Sequence, residues 1–383
     1  MRPIYLDYNA TTPVDPRVLE AMLPHFSDSF GNASSVDHFY GHEAQQAIER
    51  SREQVAALIG AAAQEIIFTS GATEADNIAI LGTLARCAED AEVLVSAVEH
   101  PAVIEAAGCL GSRMKTIPAD GDGRVDPDGV RRLLTPKTKL VSVMAANNET
   151  GVVQAVQEIG EICAEANVTF HTDAAQALRH LPLDVERSQV SLLSMSGHKL
   201  YGPKGVGALY VRKHGRRTKL SPLQFGGGQE SGLRPGTMNV PGIVGLGVAA
   251  ELARRERARD SGRETDLKQK LITGLLDGGA DLVLNVPAEG TLPQTISARF
   301  RGVSARALMH ATREQLAFSS GSACATTKVT PSHVLLAQGL SADEVAQSVR
   351  LSFGRLTSKE EIEAARESLL AAAAELRRVA EVS

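Results

Sequence analysis

Short apolar runs alternating with segments of helical spacing constrain this chain more than any other feature. Residues 93–98, 140–145 and 168–172 are such runs, and helical patterns cover about 102–110, 126–134 and 156–166 around them. A run at 65–70 feeds a helix that opens on Gly71-Ala72-Thr73-Glu74. Runs at 190–195 and 206–211 flank a loop punctuated by Gly and Pro. Alternation of this kind predicts βαβ units and a mostly parallel sheet. In such open sheets ligands bind at the carboxyl ends of the strands. His100, Asn148, Asp173, Gln176 and Lys199 all fall at or just past those ends. Five unrelated capping roles at one rim would be a coincidence.

Two of these positions have a bland reading beside the chemical one. Lys199 sits in Ser196-Gly197-His198-Lys199, between apolar runs. Alone, it reads as a solvated loop lysine, but a partly desolvated lysine can also lose its charge and attack a carbonyl. Lys204, five residues on, keeps only the solvated reading. The turn Gly71-Ala72-Thr73 is either an ordinary helix start capped by Thr73 or an anion cradle of open N–H groups.

Beyond the loop the pattern is helical over 241–258 and continues through a charged stretch, 254–270, in which acids and bases are interleaved. The remainder reads as α+β. Strands are expected at 282–284, 295–300 and 349–353, a helix at 304–313, and an amphipathic helix over 359–379. The expected fold class is therefore α/β, with a large domain over 14–256. Residues 1–13 and 257–383 would form a smaller domain.

Composition narrows the function. The chain has 383 residues, 43% of them apolar, and a net charge of −5, so gripping nucleic acid or an anionic membrane is not its expected task. Four cysteines without CxxC or Cys/His ligand spacing predict neither a disulfide framework nor a metal site. The opening residues lack a signal-peptide core and no apolar run is long enough to span a membrane, so a cytoplasmic protein is expected. Cys87, Cys109 and Cys163 lie in apolar or helical settings and are expected to be small buried residues. Cys324 lies in a polar loop rich in small residues, where a thiolate is accessible.

Pyridoxal phosphate (PLP) chemistry requires a lysine amine for the aldehyde and a carboxylate against the pyridine nitrogen. It also requires a phosphate cradle, a group on the ring face, and a guanidinium for a substrate carboxylate. Lys199, Asp173, Gly71-Ala72-Thr73, His100 and Arg350 are candidates for these places in turn.

Several stretches carry a family likeness. They are Tyr5-Leu6-Asp7-Tyr8-Asn9-Ala10-Thr11-Thr12-Pro13, Phe68-Thr69-Ser70-Gly71-Ala72-Thr73-Glu74, Asn147-Asn148-Glu149-Thr150-Gly151, His171-Thr172-Asp173-Ala174-Ala175-Gln176, Ser196-Gly197-His198-Lys199, Arg234-Pro235-Gly236-Thr237 and Ser319-Ser320-Gly321-Ser322-Ala323-Cys324. In this order, and over nearly the whole chain, the sequence resembles the cysteine desulfurases of the NifS/IscS type, which are fold-type I PLP enzymes. The resemblance implies a large domain with a mostly parallel sheet of seven-stranded type and a smaller α+β C-terminal domain.

It also implies roles. Lys199 would bind the cofactor aldehyde, Asp173 would pair with the pyridine nitrogen, and His100 would stack on the ring and help in proton transfer. Gln176 would contact the phenolic oxygen. Ala72, Thr73, Ser196 and His198 would bind the phosphate, with Thr237 reaching it from the partner subunit of a homodimer. Asn148 and Arg350 would hold the substrate carboxylate, Asn148 also touching the cofactor. Cys324 would take sulfur from L-cysteine as a persulfide and pass it to an acceptor protein, such as an iron–sulfur scaffold or a tRNA or DNA sulfur-modification protein. Arg234-Pro235-Gly236-Thr237 and Ser34-Ser35-Val36-Asp37-His38 are similar to desulfurases serving DNA phosphorothioate modification, which stands as an alternative alongside selenocysteine lyase or another class-V PLP enzyme.

Overall fold

The apolar runs become strands buried on both faces, as a sheet covered by helices requires. The computed structural model describes residues 2–320 and 330–382. Along the chain come β1 (Ile4–Tyr5), α1 (Pro16–Met22), α2 (Pro24–Ser27), α3 (Phe39–Ile59), β2 (Ile66–Thr69), α4 (Ala72–Leu84), β3 (Glu92–Ser96) and α5 (Pro101–Gly108). Then follow β4 (Met114–Ile117), α6 (Pro127–Leu133), β5 (Thr138–Ser142), α7 (Val156–Glu165), β6 (Thr169–Asp173), β7 (Leu192–Ser196), β8 (Gly207–Val211) and α8 (Val240–Asp277). The chain finishes with β9 (Leu282–Leu284), β10 (Thr295–Phe300), α9 (Ala305–Thr312), β11 (Leu316–Ala317), β12 (Ser319–Ser320), α10 (His333–Ala337), α11 (Ala342–Ala346), β13 (Ser348–Ser352) and α12 (Lys359–Val382).

The large sheet has seven strands in the order β2-β8-β7-β6-β5-β3-β4. Only β8 runs antiparallel to its neighbours; the other contacts are parallel. The mostly parallel sheet expected from the alternation is thus present. The edge strand β4 had no apolar run to announce it. Lys115 and Thr116 are exposed there, which an edge position permits. A second sheet, β12-β13-β10-β9, is antiparallel, and β1 pairs with β11.

The apolar interior divides accordingly. One part packs α3, α7 and the first half of α8 on the large sheet, with Ile59, Phe170, Leu193 and Leu246 at its centre. Another, with Leu267, Leu271, Phe300, Leu351 and Leu369, lies under the antiparallel sheet. The 38-residue α8, about 57 Å long at 1.5 Å per residue, contributes to both. Residues 256 and 257 lie within this unbroken helix.

Helix starts follow the capping rules. His100 caps α5 ahead of Pro101, Asp126 caps α6 ahead of Pro127, and Ser341 with Glu344 forms a capping box on α11. The cysteine expectation needs correction at one position. Cys163 is buried and Cys87 half-buried, but Cys109 is exposed. It caps the end of α5, one turn past the buried face set by Val103, Ala106 and Ala107. Among the described residues no helix is long and apolar enough to cross a membrane.

Close packing can be tested at Gly160 in α7, where an added Cβ would lie 1.9 Å from the Ser188 carbonyl oxygen. Gly160→Ala is expected to cost about 3 kcal/mol of stability through forced backbone displacement. The readout is a lower denaturant midpoint at unchanged slope.

Candidate active site

The carboxyl ends of β3, β5, β6 and β7 open onto one cavity of about 630 Å³. Asp173 ends β6, His100 follows β3, Asn148 follows β5, and Ser196, His198 and Lys199 lie at and just past the end of β7. Ala72 and Thr73 begin α4 on the same wall. Arg350 comes from β13 of the other sheet, so both sheets build the site.

Helix α4 is the anion end of the cavity. Its cap is Gly71, which offers no side chain to the first N–H groups. Thr73 is therefore not the cap; Gly71 holds that place. A 13-residue helix with an open N-terminus carries a partial positive charge at that end. Ser196 and His198 line the same cavity, and so does Lys204, for which the sequence alone gave only a solvated role. His198 is held down to about 4 by burial and by Lys199 and Lys204 beside it, so its ring is neutral at physiological pH. Its Nδ1 lies 3.1 Å from Thr11 Oγ1.

At the centre, Lys199 Nζ donates to the carbonyl of Asn9 and, at 3.0 Å, to that of Ala10. Gln176 Nε2 donates to the same Asn9 carbonyl at 2.8 Å. Asp173 Oδ1 accepts the Ala175 N–H at 2.8 Å. Burial, with Asp76 nearby, pushes the Asp173 carboxyl up to about 6. His100 accepts the Ala102 N–H through Nδ1 at 3.1 Å, and burial lowers its pKa.

Arg350 is nearly inaccessible and already committed in part. It pairs with Asp7 at 2.6 Å and donates to the Asn148 carbonyl at 3.0 Å, while its buried Nε has no hydrogen-bond partner among the described residues. A guanidinium so placed is rigid, charge-balanced, and keeps one N–H to offer.

Thr237 is exposed and does not line the cavity of its own chain. Cys324 lies outside the described residues. Sequence reasoning passed over several cavity residues. Glu149 accepts from Ser332 Oγ at 2.5 Å, and His333 reaches the Glu99 carbonyl at 2.9 Å. Asp76 of α4 is fully buried in the cavity wall. For Asp76 a signal existed, since it is an acid within the largely apolar 75–81 segment.

These groups fit PLP. The open end of α4 would take a dianionic phosphate, the buried Asp173 carboxyl a pyridine nitrogen, the His100 imidazole a ring face, and the Lys199 amine an aldehyde. The Arg350 Nε, which has no partner among the described residues, is where a further anionic group would be satisfied.

Comparison with known proteins agrees. Residues 4–365 match the class-V aminotransferase family. Cysteine desulfurase IscS of Anaeromyxobacter dehalogenans (strain 2CP-C) is 49% identical over 365 residues, covering 94% of this chain and 90% of its own. Among solved structures, a NifS-like protein is similar with a TM-score of 0.88 and 34% identity, covering 100% of both chains. SspA in complex with cysteine is similar with a TM-score of 0.81 and 38% identity, covering 92% of this chain and 99% of its own. Similarity that extends over nearly the whole chain, and not over one motif, makes this chain a member of the class-V aminotransferase family, in its PLP-dependent cysteine desulfurase group.

Proposed function

We propose that this chain is a PLP-dependent cysteine desulfurase that converts L-cysteine to L-alanine and holds the released sulfur on Cys324. The observation that carries the proposal is the convergence of Lys199, Asp173, His100 and Arg350 on one cavity at the strand ends. SspA, 38% identical, was solved with cysteine bound, which supports the substrate class.

The cofactor supplies an electron sink that weakens bonds next to the amino-bearing carbon of the substrate. The chain's residues supply the rest. Lys199 Nζ would hold the cofactor aldehyde and would act as the base at the substrate Cα. Asp173 holds the charge against the pyridine nitrogen. His100, kept neutral by burial, covers the ring and carries a proton. Arg350 and Asn148 orient the substrate carboxylate. At Cys324 the substrate C–S bond breaks and an S–S bond forms, while a proton goes to the carbon that becomes the alanine methyl. Atoms and electrons balance without an external oxidant.

The chain works as a homodimer and hands its sulfur to an acceptor protein. Phe26, Phe30 and Phe39 are each more than 60% exposed, an apolar surface that a second copy would cover. The exposed Thr237 is then available to a neighbouring subunit's cavity. The acidic net charge supports a protein acceptor rather than direct contact with nucleic acid.

The test is incubation of the PLP-loaded protein with L-cysteine, with alanine and protein-bound persulfide as readouts. Both should form, and Cys324→Ala should bind PLP normally but release no sulfide. Alanine formation at the unmutated rate in that variant would remove Cys324 from the reaction. Product from selenocysteine alone would make the chain a selenocysteine lyase.

A further inference from the structure

Behind Asp173 lies a polar cluster that the reaction above does not use. His171 and Asp173 alternate along β6 and so face the same side of the sheet, with Ser142 of β5 and Ser194 of β7 at matching register. His171 Nδ1 lies 2.8 Å from Ser142 Oγ, and its Nε2 lies 3.0 Å from Ser194 Oγ. Asp76 descends on this face from α4, with Oδ1 3.5 Å from His171 Nε2. Asp76 has no exposed surface, and among the described residues no backbone N–H bonds to its carboxyl oxygens, although the Ser194 hydroxyl favours its ionised form.

The charge balance here is unusual. Asp76, Asp173 and Glu99 are all buried. An ionised buried carboxylate without donors is costly, and like charges in one site raise each other's pKa. Burial pushes Asp76 up to about 7 and Glu99 well above its usual range. The groups that would balance them do not. Burial holds His171 down to about 4, and His100 is lowered by the same cause. Arg350 is committed to Asp7, and Lys199 donates to main-chain carbonyls. Glu99 accepts the Met144 N–H at 2.6 Å and does not line the cavity. Asp76 and Asp173 both do.

We propose that Asp76 and Asp173 form a carboxylate pair that shares one negative charge, with Asp76 the positioning member that keeps the proton so that Asp173 presents the charge to the cofactor. The backbone decides which member ionises. Asp173 has a backbone donor, the Ala175 N–H, to stabilise an anion, whereas the group that favours ionised Asp76 is the Ser194 hydroxyl, which His171 already engages. The cavity floor then carries one charge against one pyridinium. The pair also has a reserve: when Asp173 cannot ionise, Asp76 can take the charge from the next layer. This inference rests on the PLP reading above and deepens it.

The test is a double-mutant cycle read by equilibrium binding of PLP to the apoprotein near neutral pH, followed by fluorescence quenching. Asp76→Asn replaces a neutral acid by a neutral isostere and should leave affinity within about twofold, since no charge is lost. Asp173→Asn should weaken binding. The double variant should be weaker than Asp173→Asn by a further factor of about ten, equivalent to one pKa unit of lost interaction. A double variant equal to Asp173→Asn overturns the pair, as does an Asp76→Asn variant that alone loses tenfold. If Asp76→Asn does not fold, Asp76→Ser enters the same cycle. Wild-type protein that binds no PLP would refute the cofactor reading itself, whereas normal wild-type binding with independent variants refutes only the shared charge.

Discussion

Lys199→Ala should abolish alanine production from cysteine, lowering turnover by at least about 10³-fold, the range for loss of a positioned proton-transfer group. The expectation comes from where the strand delivers the amine. β7 is buried along its length, and Gly197–Lys199 forms a tight turn at its carboxyl end, so the lysine leaves the sheet in a fixed direction. Its Nζ is then held by the carbonyls of Asn9 and Ala10, from a segment at the far end of the sequence. Alanine keeps the turn, whose backbone does not depend on the side chain, and removes the amine. PLP should still be retained through the α4 end and Asp173, but without a covalent link. Borohydride followed by mass spectrometry should find label on residue 199 of the wild type and none on the variant. A variant with label at another lysine, or with unchanged turnover, would assign the amine elsewhere; Lys204, on the same cavity, is the control.

The residues that converge on this lysine were legible for a physical reason. A parallel sheet places successive strand ends at one edge, so a polar residue after each apolar run predicts its own location. His100, Asn148, Asp173 and Lys199 reached the cavity through that rule. What the rule does not reach is anything delivered across the sheet face. Asp76 sits in the second turn of α4, and its neighbourhood with His171 follows from the packing of that helix on β5, β6 and β7. Lys204 keeps only a solvated role by sequence because a Gly/Pro loop gives no periodicity, and its fold-back beside His198 is a tertiary fact. The double use of α8 was equally hidden. Its charged middle fits a solvated face by sequence, yet Asp260, Glu264 and Lys268 are buried there. Each is buried with a specific partner, which composition cannot disclose.

Glu264 marks the second large effect. It forms an ion pair with Arg179 at 2.6 Å, with almost no exposed surface on either side chain. Arg179 follows β6, while Glu264 lies on α8, so the pair fastens that helix to the strand-end region of the large sheet. The same arginine lies over the Tyr201 ring at 5.3 Å, and Arg355 lies over that ring at 4.7 Å. Tyr201, two residues past Lys199, has a left-handed backbone (φ 62°), and its hydroxyl accepts the Arg355 N–H at 2.6 Å. Arg179→Met should cost about 3–5 kcal/mol, because Glu264 is left as an uncompensated buried charge. The loss should depend on pH with a definite sign. Burial already raises the Glu264 pKa and Arg179 opposes that rise, so removing Arg179 raises it further. A folded-state pKa above the unfolded one favours the native state of the protonated acid, and that advantage disappears as pH climbs through the folded value. Chemical denaturation should therefore find the variant's deficit smaller near pH 5 than near pH 8. Arg179→Met combined with Glu264→Leu should recover most of the stability, since an apolar pair avoids the desolvation penalty. A deficit independent of pH, or a double variant no more stable than Arg179→Met, would mean that the arginine contributes through packing on Tyr201 and not through its charge.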